Sequence, residues 1–274
     1  MNLLAIIILN YNSWKDTYQE VQLIKRLFVK ENYQIIIVDN QSTNDSYEQL
    51  SRLNENKYIL LESEKNDGYA SGNNIGLRYA KEKGYKFAWI LNNDILFEDE
   101  LLIKKMENVL EQHQDIAIVN PDIYSPDGYL FNRDSIRPNV WDFTFGMIGY
   151  KKKGREVKNL GDYGYIYRPQ GCCMMVSLDL LNKVDYMDEH TFLYCEELIL
   201  AERLLKKGYK CALCLEGKVI HNHSKTVKSV LKNRQLNKIK CDSFKYYLKE
   251  YRKYSGWKRM LCMMFYRLKN IVLD

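Results

Sequence analysis

The sequence predicts an α/β domain with a mainly parallel, Rossmann-like sheet flanked by helices, followed by a C-terminal helical tail. Three observations predict it. Aliphatic runs alternate with stretches of helical periodicity through the first half of the chain. The runs near residues 4–9 and 87–91 are apolar at almost every position, the pattern of strands buried on both faces. Three runs stop on polar clusters: Asn10-Tyr11-Asn12, Asp39-Asn40 and Asn92-Asn93-Asp94. Strand–helix alternation implies a sheet covered on both faces, and in open α/β sheets ligands bind beyond the carboxyl ends of the strands. The three clusters are therefore expected to converge on one site.

Residues 4–9 read as the first strand. A helix follows, opened by Ser13 and Asp16 as a capping box, with Val21, Ile24, Leu27 and Phe28 at helical spacing. A strand over 34–38, a short helix over 46–53 and a short strand over 58–62 come next. The polar, glycine-bearing segment 66–74 leads into a helix that stops at Gly84. A strand at 87–91, a helix at 98–113 with Leu102, Met106 and Val109 on one face, and a strand at 116–119 complete the regular half. From 122 to 170 the periodicity dissolves into turns, aromatics and charges, as expected of a functional or mobile region. Order returns with a strand at 172–176, a helix around 178–184, a helix at 196–207, a strand-like stretch at 210–215 and a last strand at 218–220.

The 274 residues are 46% hydrophobic and 28% charged, ordinary for a globular chain, and four prolines with 14 glycines argue against a disordered one. A net charge of +6 is too modest to imply nucleic acid. The N-terminus has no basic leader or cleavage motif, and no run approaches the roughly 20 apolar residues of a membrane span. Seven cysteines without an export signal point to a reducing compartment. The one C-x-x-C pair, Cys211 and Cys214, lies on a strand, where residues three apart face opposite sides, so it reads as buried filler and not as a zinc site.

Asn92-Asn93-Asp94, behind a buried strand, suits a hard divalent cation that bridges phosphates, or simply a strand-end turn. Asp39 can accept a hydrogen bond from a base or ribose, while the nearby 42–45 segment can cap the next helix. The stretch Asn66-Asp67-Gly68-Tyr69-Ala70-Ser71-Gly72-Asn73-Asn74-Ile75-Gly76 is not a dinucleotide fingerprint, yet it suits close approach of backbone amides to a polar ligand at a helix N-terminus. Glu196-Glu197 opens a helix behind Phe192-Leu193-Tyr194, as general-base machinery or as partners of the helix dipole. His221 and His223 lie beyond the last strand, where one can complete a metal site or both can be solvated.

Taken in order, these segments closely resemble the inverting family 2 glycosyltransferases of the GT-A fold, in particular a rhamnosyltransferase-like subgroup. The resemblance runs from about Leu4 to Ser224. It rests on Leu9-Asn10-Tyr11-Asn12, Ile36-Ile37-Val38-Asp39-Asn40-Gln41-Ser42-Thr43, Asn66 through Gly76, and Leu91-Asn92-Asn93-Asp94. Beyond these it rests on Gly171, Met187-Asp188-Glu189, Phe192-Leu193-Tyr194-Cys195-Glu196-Glu197, Arg203-Leu204, Gly208-Tyr209 and Val219-Ile220-His221. It implies that Asp39 meets the base of a UDP- or dTDP-sugar, with Asn10, Tyr11, Asn12, Asn66, Gly72, Asn73, Asn92 and Asn93 around the nucleotide sugar. It implies Mg²⁺ or Mn²⁺ on Asp94 with His221 close by, Glu197 as catalytic base, and Gly171, Tyr194 and Glu196 toward the acceptor. The family usually has Glu-Asp at positions 196–197 and a further acid at 199, where this chain has Glu-Glu and Ile199.

Residues 1–225 are thus expected to form the catalytic domain and 226–274 a basic, aromatic helical tail. That tail interleaves Tyr, Trp, Met and Phe with Lys and Arg, as interfacial helices do. It reads as a contact to an anionic membrane, or as a helix packed on the domain or in a homodimer. The expected setting is peripheral, on the cytoplasmic face of a cell membrane, with a lipid-linked saccharide acceptor in surface polysaccharide synthesis. The rival readings are a sugar-phosphate nucleotidyltransferase, disfavoured because Asn10-Tyr11-Asn12-Ser13 is no phosphate loop, and a non-catalytic nucleotide-sugar-binding subunit.

Overall fold

The computed structural model describes residues 4–149, 156–222 and 233–272. Strands β1 (Leu4–Asn10), β2 (Tyr33–Asp39), β3 (Ile59–Glu62) and β4 (Phe87–Leu91) form a parallel set in the order β3-β2-β1-β4. The sheet continues past β4 through β8 (Cys173–Ser177), β6 (Ile116–Tyr124), β9 (Lys210–His221) and β5 (Ile95–Leu96), with β7 (Tyr163–Ile166) also paired to β9. β8 runs antiparallel to β4 and β6, while β6 and β9 are parallel. Register does the positioning. Asn10 stands opposite Asp39 between β1 and β2. Ile95 stands opposite His221 between β5 and β9, which brings the Asn92-Asn93-Asp94 turn beside that histidine.

Successive strand side chains point to opposite faces, and both faces are covered. Ile6 and Ile8 share one core with Val21 and Ile24 of α1 (Trp14–Leu27), with Phe28 just past that helix, and with Met106 of α4 (Leu102–Gln112). Ile7 and Ile36 share the other with Leu77 of α3 (Tyr69–Glu82), Leu181 of α5 (Leu178–Asn182) and Leu200 of α6 (Glu196–Lys206). Each such side chain removed from water contributes about 1.5–3 kcal/mol, so the runs read as doubly buried are what hold the layers. Cys211 and Cys214 fall in different cores, as expected of strand residues three apart.

A third core joins the chain's last helices to the domain. α7 (Asn233–Tyr246), a π-helical turn (Tyr247–Tyr251) and α8 (Gly256–Val272) bury Phe244, Tyr247, Leu248 and Cys262 against Phe143 and Ile199. Buried carboxylates fasten this joint. Glu202 of α6 accepts two hydrogen bonds from Arg137, at 2.9 and 2.6 Å, and one from the Tyr167 hydroxyl at 2.6 Å, with Arg252 at 3.5 Å. Asp188 accepts from Tyr246 at 3.0 Å and from Tyr251. Much of the tail's aromatic surface is therefore inside the protein. The expected boundary at 225/226 and His223 lie outside the described residues.

Several expectations shift on contact with the structure. The helix expected from 98 begins at Leu102, because Asp99 folds the chain into a turn, accepting from the Leu101 amide at 2.9 Å. The strand at 116–119 runs on to Tyr124, across Pro121, where a register shift accommodates the missing N–H. The two strands expected at 210–215 and 218–220 are one, β9, with residues 215–217 bulged out of register. β7 lies inside the stretch read as irregular. No capping box forms at Ser13, whose hydroxyl is used in the site described next.

Candidate active site

Beyond the carboxyl ends of β1 and β2 a polar network closes on Asp39, which is 1% exposed. Its Oδ1 accepts from the Ser42 amide at 2.8 Å; its Oδ2 accepts from Asn10 Nδ2 at 2.6 Å and from the Ser42 hydroxyl at 2.7 Å. Asn10 Oδ1 in turn accepts from Thr17 at 2.7 Å, and Asn93 donates to Thr17 at 2.8 Å and to Ser13 at 2.9 Å. The ends of β1, β2 and β4 are thereby stitched together, as the three clusters implied. Nothing in the sequence marks Thr17, and the positions of Ser13 and Ser42 suggest helix caps, because single hydroxyls carry no pattern that points to this network.

Asn12 takes a positive φ of 56° and links the β1 and β2 loops, its Oδ1 accepting from the Thr43 amide at 2.8 Å. Tyr11 is half-buried beside it. Asn66 Oδ1 accepts from Asn40 at 2.9 Å and from the Gly68 amide at 3.1 Å. Gly68 has φ of 96°, and an added Cβ would lie 2.0 Å from the Phe192 carbonyl, so glycine is required where α3 docks on the segment before α6. Gly72 is close-packed too, an added Cβ lying 2.5 Å from Leu9 Cδ1. Its role is close packing of α3 on the sheet. Asn73 is buried and donates to Tyr69 O at 2.9 Å, while its Oδ1 and that of Asn40 have no hydrogen-bond partner in the structure. A buried amide oxygen left open is costly unless a ligand answers it.

On the other side of the β4 turn lies a cavity of about 710 Å³. It is bordered by Asn92, Gly171, Tyr194, Glu196, Glu197 and His221, all expected site residues, and by Tyr69, Arg168 and residues of the C-terminal helices, which were not. Tyr194 and Cys195 both take left-handed backbone, φ of 73° and 68°, and this rare double turn swings α6 so that its first carboxylates meet the cavity. Glu197 Oε1 accepts from the Gly171 amide at 3.3 Å, and the Tyr69 hydroxyl donates to the Gly171 carbonyl at 2.8 Å. A Cβ on Gly171 would crowd both partners, at 3.0 Å from Tyr69 and 3.3 Å from Glu197. Glu196 is 6% exposed, and burial, followed by the charge of Glu197, pushes its carboxyl up to about 8.

His221 Nε2 lies 3.1 Å from Asp94 Oδ1, both side chains nearly buried. Close by, Glu20 of α1 is lifted to about 9 by burial and then by the charge of Asp94, so it is neutral at pH 7. Nothing in a helical glutamate marks it in the sequence as a neighbour of Asp94. Sheet closure alone brings it there.

The sequence pattern of Glycosyl transferase family 2 matches residues 5–184. This chain belongs to that family. A relative from Haloferax volcanii, the low-salt glycan biosynthesis hexosyltransferase Agl10, is 28% identical over 222 residues, 80% of this chain and 67% of its own. The O-antigen chain rhamnosyltransferase WbaN of Salmonella anatum is 24% identical over 216 residues, 79% of this chain and 62% of its own. Among solved structures, the mannosyltransferase PcManGT of Pyrobaculum calidifontis, in complex with GDP-Man and Mn²⁺, superposes with a TM-score of 0.61 at 12% identity, covering 98% of this chain and 70% of that one. GalNAc-T7 with UDP, GalNAc and Mn²⁺ gives 0.58, also at 12% identity, over 91% and 56%. The fold of this family 2 glycosyltransferase is thus GT-A.

Among the described residues no three His, Cys, Asp or Glu side chains gather as a metal site. Asp94 nonetheless offers a carboxylate of the kind that usually holds Mg²⁺ together with substrate phosphates and water, with His221 beside it.

Proposed function

We propose that this glycosyltransferase moves a sugar from a UDP- or dTDP-sugar to a hydroxyl of a lipid-linked glycan acceptor, with inversion, in surface polysaccharide synthesis. One observation carries the reading. Glu197, which accepts from the Gly171 amide, and His221, paired with Asp94, border a single cavity beside the Asp39 network. A base and a cation-binding pair facing one space suit attack by a hydroxyl as a diphosphate leaves.

The donor's base and ribose are assigned to the Asn10–Asp39–Asn12 side and the acceptor to the cavity. Glu197 takes the acceptor hydroxyl's proton at a carboxylate oxygen, and the Gly171 N–H holds that carboxylate in place. Attack opposite the leaving group inverts the anomeric centre. Glu196, largely neutral at pH 7, adds no second negative charge next to the base and is free to donate a hydrogen bond to the acceptor. Asp94 and His221 would hold Mg²⁺ or Mn²⁺, which would stabilise charge on the departing diphosphate. No helix among the described residues is long and apolar enough to cross a membrane, and we place the protein peripherally at the inner membrane face.

The test is a transfer assay with donor affinity measured alongside. Glu197→Gln should keep donor Kd and lose roughly 10²–10⁴-fold in kcat, the usual worth of a general base. Glu196→Gln should lose less, and Glu197→Asp should keep partial activity. A dead Glu196→Gln with an active Glu197→Gln would reassign the base. Full activity in both would refute the mechanism.

A further inference from the structure

We infer that α8 seats the protein on an anionic lipid surface, with the rim of the catalytic cavity beside that surface. The helix has two faces. Inward, Cys262 is fully buried, Tyr266 stacks on Phe244 with centroids 4.4 Å apart, and Tyr266 and Lys269 border the cavity. Outward, Trp257, Met260, Met264 and Leu268 are 62%, 72%, 49% and 46% exposed. Their spacings of three, four and four residues place them on one stripe of the helix.

The patch does not end at the helix. Phe265 contacts Phe145 at 5.2 Å, and Phe145 contacts Trp141 at 4.8 Å, with both of the latter exposed. Between them in sequence, Asp142 and Phe143, with Gly146 just beyond, border the cavity. One short segment therefore carries both the cavity rim and the edge of the apolar patch.

Charge selects the occupant. Residues 256–272 contain Lys258, Arg259, Arg267 and Lys269 and no acidic residue. A protein partner would have to match this apolar stripe with acids on its flanks, whereas an anionic bilayer offers hydrocarbon beneath a negative surface everywhere. Basic residues held near such a surface are attracted to it, and exposed Trp and Met side chains gain by entering the interface. The tail residues that pack in the third core, Phe244, Tyr247 and Leu248, take no part. The surface stands on α8 and segment 141–145 alone; its consequence, that a lipid-linked acceptor reaches the cavity without leaving the membrane, rests on the proposed reaction.

The experiment uses the full chain with phosphatidylcholine vesicles, with and without phosphatidylglycerol. The protein should float with the anionic vesicles, remain behind with the neutral ones, and be released by high salt. The double variant Trp257→Ser/Met264→Ser should partition on the order of 10-fold less or weaker, the expected effect of removing two large apolar contacts, with its unfolding midpoint as the control for folding. Trp257→Phe should retain binding. Absence of wild-type flotation, or unchanged flotation of the double variant, overturns the inference. So does a wild-type dimer in sedimentation that the double variant converts to monomer without any vesicle binding. Flotation intact beside a fully active Glu197→Gln would instead fault the proposed reaction and leave the surface standing.

Discussion

Glu196 and Glu197 are adjacent in the chain and differently placed in the fold. Glu197 holds a backbone amide at the cavity wall, while Glu196 is buried with its carboxyl raised to about 8 from an ordinary 4.5. A raised acid favours the proton-bound native state, so its contribution is fully present below pH 4.5 and is lost as pH climbs toward 8. The slope is at most about 1.4 kcal/mol per pH unit for one group. Glu196→Gln should remove it, so the variant's melting temperature should rise relative to wild type between pH 5 and pH 8. An offset that is the same at both pH values would contradict the burial argument. At Asp94 the expectation concerns binding. UDP or dTDP should bind more tightly with Mn²⁺ than with EDTA in calorimetry, and Asp94→Asn should erase that difference; a metal-independent affinity would sink the assignment.

At the scale of elements, the informative unit is the joint between α6 and the C-terminal helices. Leu248 is wholly buried in the core that also holds Phe143, Ile199 and Tyr247. Leu248→Ala should cost about 2–5 kcal/mol, the range for a large-to-small change in a close-packed core, seen as a lower denaturation midpoint at unchanged slope. A midpoint that does not move, or a separate early transition for the tail, would mean that the helices are an appendage. The bulge in β9 is informative in another way. It interrupts the apolar pattern around Gly217, where an added Cβ would lie 2.8 Å from Leu102, and so makes one strand look like two in the sequence.

For the whole molecule, catalytic sheet and tail make one unit. Phe244, Tyr266 and Lys269 border the same cavity as Glu197, and Glu202 and Asp188 draw their hydrogen-bond donors from both sides of the joint. A chain cut after residue 232 would expose Phe143 and Ile199 and leave Asp188 without its two tyrosines. It is expected to lose both stability and acceptor transfer, including with water-soluble acceptors that need no membrane. Undiminished melting temperature and transfer in the truncated chain would show that the tail acts only as an anchor.

The sequence by itself determined the parallel half of the sheet and its covered faces, because uninterrupted aliphatic runs are stable only when buried on both sides. It determined the three polar strand ends, since residues that end strands are local facts, and the ordered motifs carried the family. It also placed Cys211 and Cys214 on opposite faces from spacing alone. Only the tertiary structure decided what those ends touch. Ser13, whose position at a helix start suggested a cap, serves the Asn10–Asn93 network instead. Glu20 approaches Asp94, and Tyr69 fixes Gly171, over separations that no local pattern encodes. The tail is the clearest case. Its alternation of aromatic and basic residues is compatible with membrane, partner or core, and packing divided it, taking Phe244, Tyr247 and Leu248 inside and leaving Trp257, Met260, Met264 and Leu268 out. Which side of an amphipathic helix finds a partner depends on the surface it meets, and that surface is assembled from residues distant in the chain, such as Phe143 and Ile199.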